Sequence, residues 1–133
     1  MAIKINWTQN YQVVDGPNVT GTGTVEADAY DKIEVKVPKT NGKVTVEVLP
    51  AGATGKVKFL LVKSDNYAKL TYDVDPPNGT VTGVALDAQL LLVGEGALKL
   101  AGGAPKSLLF KNTGASDANV QILIARDVAT TTP

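Results

Sequence analysis

The stretch Lys32-Ile33-Glu34-Val35-Lys36-Val37 alternates apolar and polar residues, and after Pro38-Lys39-Thr40-Asn41-Gly42 the run Lys43-Val44-Thr45-Val46-Glu47-Val48 does so again. A β-strand sends successive side chains to opposite faces, so Ile33, Val35 and Val37 share one face while Lys32, Glu34 and Lys36 share the other. Val44, Val46 and Val48 repeat the pattern against Thr45 and Glu47. Asn41-Gly42 supplies residues that accept positive φ, so the two runs predict a hairpin with one wet face. The turn Pro50-Ala51-Gly52-Ala53-Thr54-Gly55 then leads into Lys56-Val57-Lys58-Phe59 and extends the expectation to a three-stranded meander. In that reading Ile33, Val35, Val37, Val44, Val46, Val48, Val57 and Phe59 form one side of the core.

Working outward, further strands are expected at 3–7, 19–25, 70–74, 80–84 and 97–100, with turns at Pro76-Pro77-Asn78-Gly79, Gly102-Gly103 and Asn112-Thr113-Gly114. Four segments differ in being apolar on both faces: Phe59-Leu60-Leu61-Val62, Leu90-Leu91-Leu92-Val93, Leu108-Leu109-Phe110 and Ile122-Leu123-Ile124-Ala125. Their second side needs a cover, either a packed loop or a neighbouring subunit. Segment 85–93 carries helix formers, with Leu86 and Leu90 four apart, and a short helix is the alternative to a strand there. Many short strands without long helical patterns predict an all-β fold. The expected form is an antiparallel β-sandwich, jelly-roll or immunoglobulin-like, with a partly open β-barrel as the alternative. The 133 residues suit one domain, 1–127, followed by a small, polar and flexible C-terminal tail at 128–133.

Composition then narrows the chemistry. The chain has no cysteine, which removes disulfides, thiolate metal sites and cysteine nucleophiles. It has no histidine, so the usual general base near neutral pH and the commonest metal ligand are both missing. Lysine plus arginine and aspartate plus glutamate number 13 each, and Arg126 is the sole arginine, so no nucleic-acid partner is expected. Residues 1–7 alternate rather than forming a secretory signal, and no apolar run approaches a membrane span. No membrane association is expected; the compartment stays open, cytoplasmic synthesis and a virion both being compatible.

Several short motifs resemble ligand-binding or catalytic patterns. Gly52-Ala53-Thr54-Gly55-Lys56-Val57 resembles the end of a phosphate-binding loop, but Pro50 replaces its first glycine and Val57 its magnesium-binding hydroxyl. Gly94-Glu95-Gly96-Ala97-Leu98-Lys99 begins like a dinucleotide fingerprint but places Lys99 at the third glycine. Asp73-Val74-Asp75-Pro76-Pro77-Asn78-Gly79 groups oxygen ligands, yet the spacing of a helix-loop-helix calcium site puts Val84 at the bidentate acid, and a turn closed by local hydrogen bonds is expected instead. Glu34 and Glu47 on adjacent predicted strands could oppose each other as a glycosidase pair, but surrounding lysines explain them as a solvated face. Ser64 beside Lys63 and Ser107 beside Lys106 would point to opposite faces of a strand, against a serine–lysine nucleophile. The sequons at Asn6, Asn18 and Asn78 carry no weight without a signal peptide.

The expectation is therefore no catalytic residue, no metal and no cofactor. The chain reads as a non-enzymatic structural or assembly module that self-associates as a homo-oligomer, such as a small virion, tail or surface-layer component. Its expected contact residues are Ile3, Ile5, Leu91, Leu109 and Leu123. The alternative is a carbohydrate or small-ligand binding module that stacks its ligand on exposed aromatics, with Trp7 and Tyr67 as candidates.

Overall fold

The computed structural model describes residues 3–48, 57–75, 81–98 and 107–127. The described chain is almost entirely strand: β1 (Ile3–Gln12), β2 (Asn18–Ala27), β3 (Ala29–Val37), β4 (Gly42–Glu47), β5 (Val57–Ser64), β6 (Leu70–Asp75), β7 (Val81–Ala85), β8 (Leu90–Val93), β9 (Ser107–Asn112) and β10 (Ala118–Arg126), with one helical turn, α1 (Glu95–Leu98). All strand pairs are antiparallel. They form one sheet ordered β3-β10-β5-β8, a second ordered β4-β9-β6-β7, and a two-stranded ribbon β1-β2; none closes into a barrel. From β3 onward every connection between consecutive strands changes sheet, except β6 to β7.

Alternation decides what each sheet buries. Val120, Ile122 and Ile124 of β10, Leu60 and Val62 of β5, and Leu92 of β8 join Val46, Leu108, Phe110, Leu70 and Val74 of the other four-stranded sheet in one core cluster. Asn112 at the end of β9 is the one buried polar residue among those described. Its Nδ2 donates to Val37 O at 3.1 Å and Ser116 O at 2.9 Å, while its Oδ1 accepts from Gly114 N at 2.9 Å. The amide thus ties the end of β3 to the end of β9, strands of different sheets. Every polar atom of a buried side chain needs such partners, and this one has them.

Several expectations require correction. The expected hairpin of 32–37 with 44–48 does not form: β3 pairs with β10, and β4 with β9. The turn itself is present, with Thr40 and Asn41 at positive φ, and it carries the chain from one sheet to the other. Gly42 is required because a Cβ there would lie 2.0 Å from Pro38 O. The meander fails likewise, since β5 lies between β10 and β8. Alternation reports which face is buried but not which strand is the neighbour, and the valines of β3 and β4 enter the core from two sheets. Glu34 and Glu47 are therefore not on adjacent strands.

Ile33, Val35, Val37, Val44, Val46, Val48 and Val57 do belong to this core, whereas Phe59 does not. Between Ala125 and Arg126 the β10–β5 register shifts, so that Arg126 faces Val57 and Ala125 faces Phe59. The extra residue, Lys58, breaks the alternation and sends Phe59 to the opposite face, the usual effect of a β-bulge. The helical alternative at 85–93 gives way to strand at both ends, and the expected strand at 97–100 overlaps α1 instead, in which Leu98 N donates to Gly94 O at 3.1 Å. The Gly102-Gly103 turn, Lys106 and the tail at 128–133 lie outside the described residues, as do most of the Gly52 to Val57 motif and the tip of the β6–β7 loop.

Candidate functional site

The outer face of the β3-β10-β5-β8 sheet is where the apolar surplus of the late strands goes. Phe59 and Leu61 of β5, Leu91 and Val93 of β8, and Leu123 and Ala125 of β10 point away from the main core and meet Ile3, Ile5, Trp7, Val25 and Ala27 of the β1–β2 ribbon. The chain's own N-terminal hairpin is thus the cover that the two-sided runs of β5, β8 and β10 require, while β9, in the other sheet, receives none from it. Its base is pinned by polar contacts as well. Asp28 N donates to Arg126 O at 3.1 Å, Lys58 Nζ donates to Glu26 O at 3.2 Å and pairs with Asp127 at 2.9 Å, and Arg126 pairs with Asp31.

Trp7 sits at the outer end of this contact. It stands opposite Gly23 in the β1–β2 register, and its indole lies over Gly23 and Gly21, so close that a Cβ on Gly23 would fall 2.5 Å from a ring carbon. The ring replaces the side chains that two strand glycines lack, the arrangement by which an aromatic rescues a cross-strand glycine. Trp7 is therefore a packing residue here. Tyr67 is another: it packs on the main core, and its hydroxyl accepts from Ser64 N at 2.9 Å. The two candidate stacking residues belong to different clusters on opposite faces of one sheet and do not form a common platform. Of the five expected contact residues, Ile3, Ile5, Leu91 and Leu123 come together, but with one another inside the chain, while Leu109 belongs to neither cluster.

Beyond Trp7 the ribbon continues past what the body covers. The inward face runs Ile3, Ile5, Trp7, Gln9, Tyr11 on β1 and Val19, Gly21, Gly23, Val25, Ala27 on β2, and Tyr11 stands directly opposite Val19. Burial fades along it, and every residue from 10 to 20 is exposed. The turn at the tip is well formed, with Asp15 at φ 59° followed by Gly16, Gly16 N donating to Val13 O at 2.8 Å and Val13 N donating to Pro17 O at 3.0 Å. Of the described large hydrophobic side chains, those left exposed are Tyr11 (60%), Val13 (60%), Val14 (87%), Val19 (62%) and Tyr30 (56%), and all but Tyr30 are on this tip. Asp15 is the single charged residue between Lys4 and Glu26. Charge depletion around exposed aromatic and aliphatic side chains is the composition of a contact patch rather than of a solvated loop.

Sequence reasoning missed this tip although Asp15-Gly16, a strong hairpin-turn signal, was there to be read. The flanking Thr8-Gln9-Asn10-Tyr11-Gln12 is polar on both faces, so no alternation extended the strand.

The remaining candidates are engaged in structural contacts. Asp73 Oδ1 accepts from Gly83 N at 2.6 Å and Oδ2 lies 3.5 Å from Lys111 Nζ, so this carboxylate closes the β6–β7 pair and neutralises a neighbour. Glu34 pairs with Lys32 at 3.6 Å and accepts from Gln121 at 3.3 Å. Ser64 Oγ is bonded within its own turn, to Asn66. Asp65 is held below the ordinary carboxylate range, first by the Asn119 side-chain amide and then by the Asn119 N–H. Asp117 is lowered chiefly by the Lys39 backbone N–H. Burial raises Tyr72. No group of three or more metal-ligating side chains occurs among the described residues. Compared with models of protein families, with curated proteins and with solved structures, the chain matches none.

Proposed function

We propose that the chain is a jelly-roll β-sandwich that serves as a non-enzymatic structural module, self-associating through its N-terminal hairpin in a virion, tail or surface-layer type of assembly. Support for the fold comes from the strand order: two antiparallel four-stranded sheets share a core, and nearly all connections cross from one to the other, as two interleaved Greek keys require. Support for the role comes from one observation above all, the exposed apolar tip of β1–β2. An isolated two-stranded ribbon is marginal in water, and the outer part of this one has nothing beneath it among the described residues. A partner surface supplies the missing layer, and an identical subunit is the commonest partner. The apolar runs at 59–62, 90–93 and 122–125 are not the support, because the hairpin base occupies their outer sides.

Sedimentation velocity with light scattering tests the reading. The intact protein is expected to associate at micromolar concentration with a melting temperature that rises with protein concentration, and a variant carrying Tyr11→Ser, Val14→Ser and Val19→Thr to run as a monomer with unchanged circular dichroism and a concentration-independent melting temperature. A stable monomer of the intact protein across that range overturns the proposal.

A further inference from the structure

Resting on the self-association reading, we infer that the hairpin tip docks on a second copy of this chain, in the depression on the outer face of β5 and β10 lined by Lys32, Leu61, Lys63, Gln121, Ile122 and Leu123. This depression adjoins the hairpin's own resting place, for Leu61 and Leu123 contribute both to it and to the cluster that holds Ile3, Ile5 and Trp7. The same sheet face thus already receives this ribbon's apolar face at one end, and no other described residue covers its other end. The chain's own tip does not fill it, since residues 10–20 are all exposed.

Size and charge fit the same occupant. The depression measures about 220 Å³, below the roughly 300–1,000 Å³ usual for small-molecule sites and suited to single side chains such as valine. Lys63 and Lys32 flank its apolar floor; Lys32 is paired with Glu34, whereas Lys63 makes no ion pair among the described residues. Asp15 is the tip's one charge and is likewise unpaired among the described residues, so one of the tip valines can enter over Leu61 and Leu123 while Asp15 meets Lys63. Tip and depression are different surfaces, so a single contact is heterologous and, repeated, closes as a ring or propagates as an array, whereas two reciprocal contacts make an isologous pair.

The absence of cysteine makes the test direct. Chains carrying Val14→Cys are mixed with chains carrying Gln121→Cys and treated with a short bis-maleimide, with Thr45→Cys, exposed on the outer face of the other sheet, as the control acceptor. A hetero-crosslink to Gln121→Cys that exceeds the one to Thr45→Cys is expected. Lys63→Asp should weaken association roughly tenfold, and Asp15→Lys combined with Lys63→Asp should restore it. Association of the intact protein without the Gln121→Cys crosslink, or with no rescue by the charge exchange, overturns this docking site and leaves self-association standing. A monomeric intact protein overturns both.

Discussion

Two glycines that face the same indole should respond in opposite ways to the same methyl group. Gly21 and Gly23 lie on the buried face of β2, neither at positive φ, and Trp7 covers both. At Gly21 a Cβ would sit 3.5 Å from the nearest ring carbon, which is ordinary contact. Alanine there restricts the unfolded chain without strain and should stabilise by about 0.4–1 kcal/mol. At Gly23 the same Cβ would lie 2.5, 2.6 and 2.8 Å from three ring atoms. The indole is held between β2 and the Phe59 cluster, so it can yield only by leaving its contacts, and overpacking of this kind costs about 1–3 kcal/mol. The entropic gain is common to both variants and cancels in their difference. Gly23→Ala should therefore be less stable than Gly21→Ala by about 1–3 kcal/mol. Trp7 is the only tryptophan, so urea unfolding followed by its fluorescence, with circular dichroism in parallel, reads ribbon and body together. Gly23→Ala should also shift the native emission to the red as the ring is displaced towards water. Equal unfolding midpoints with unchanged emission in both variants would refute the placement of the ring, and with it the account of how the hairpin is held.

Other perturbations probe the rest of the fold. Asn112→Ala removes three hydrogen bonds to backbone groups and at about 0.5–1.5 kcal/mol each should cost about 1.5–4.5 kcal/mol in urea unfolding; a loss below about 1 kcal/mol would deny the amide its role in joining the sheets. Phe59→Ala, at a site only 3% exposed, should cost about 3–5 kcal/mol and alter the native Trp7 emission, whereas Phe110→Ala should cost a similar amount and leave that emission unchanged; the two are distinguishable only if Phe59 belongs to the second cluster. The Asp65 carboxyl, lowered by Asn119, contributes stability that is present above the ordinary carboxylate pKa and lost as pH falls through the depressed folded value. Its titration followed by NMR should move upward in Asn119→Ala, and an unchanged titration would remove Asn119 as the cause.

Much of the architecture is legible in residue order because it depends on local rules. The alternation of Ile33, Val35, Val37 against Lys32, Glu34, Lys36 is a property of the backbone pleat, and the structure buries the face it marks. The turn at Thr40 and Asn41 follows from residues that tolerate positive φ. The doubly apolar runs at 59–62, 90–93 and 122–125 announce a second cover, and a second cover exists. Absence of histidine and cysteine bounds the chemistry without any coordinates.

Partner choice is what tertiary structure alone decides. An alternating strand presents the same apolar face whichever neighbour it takes, so nothing in 32–48 distinguishes a flat hairpin from a crossing between two sheets; β10 and β9, about eighty residues away in register pairs such as Val35 with Val120 and nearly seventy in Val44 with Phe110, won those places. A single inserted residue at Lys58 turned Phe59 to the other face, a change no period count anticipates. The identity of the cover is likewise non-local: Ile3, Ile5, Leu91 and Leu123 each read as contact residues, but only the fold showed that they contact one another. That closure inside the chain is what leaves Tyr11, Val13, Val14 and Val19 as the exposed apolar end of the ribbon. Sequence determined that apolar surface was in excess; packing determined where the excess emerged, because burial is settled by which segments the fold lays on a face and how far along it they extend.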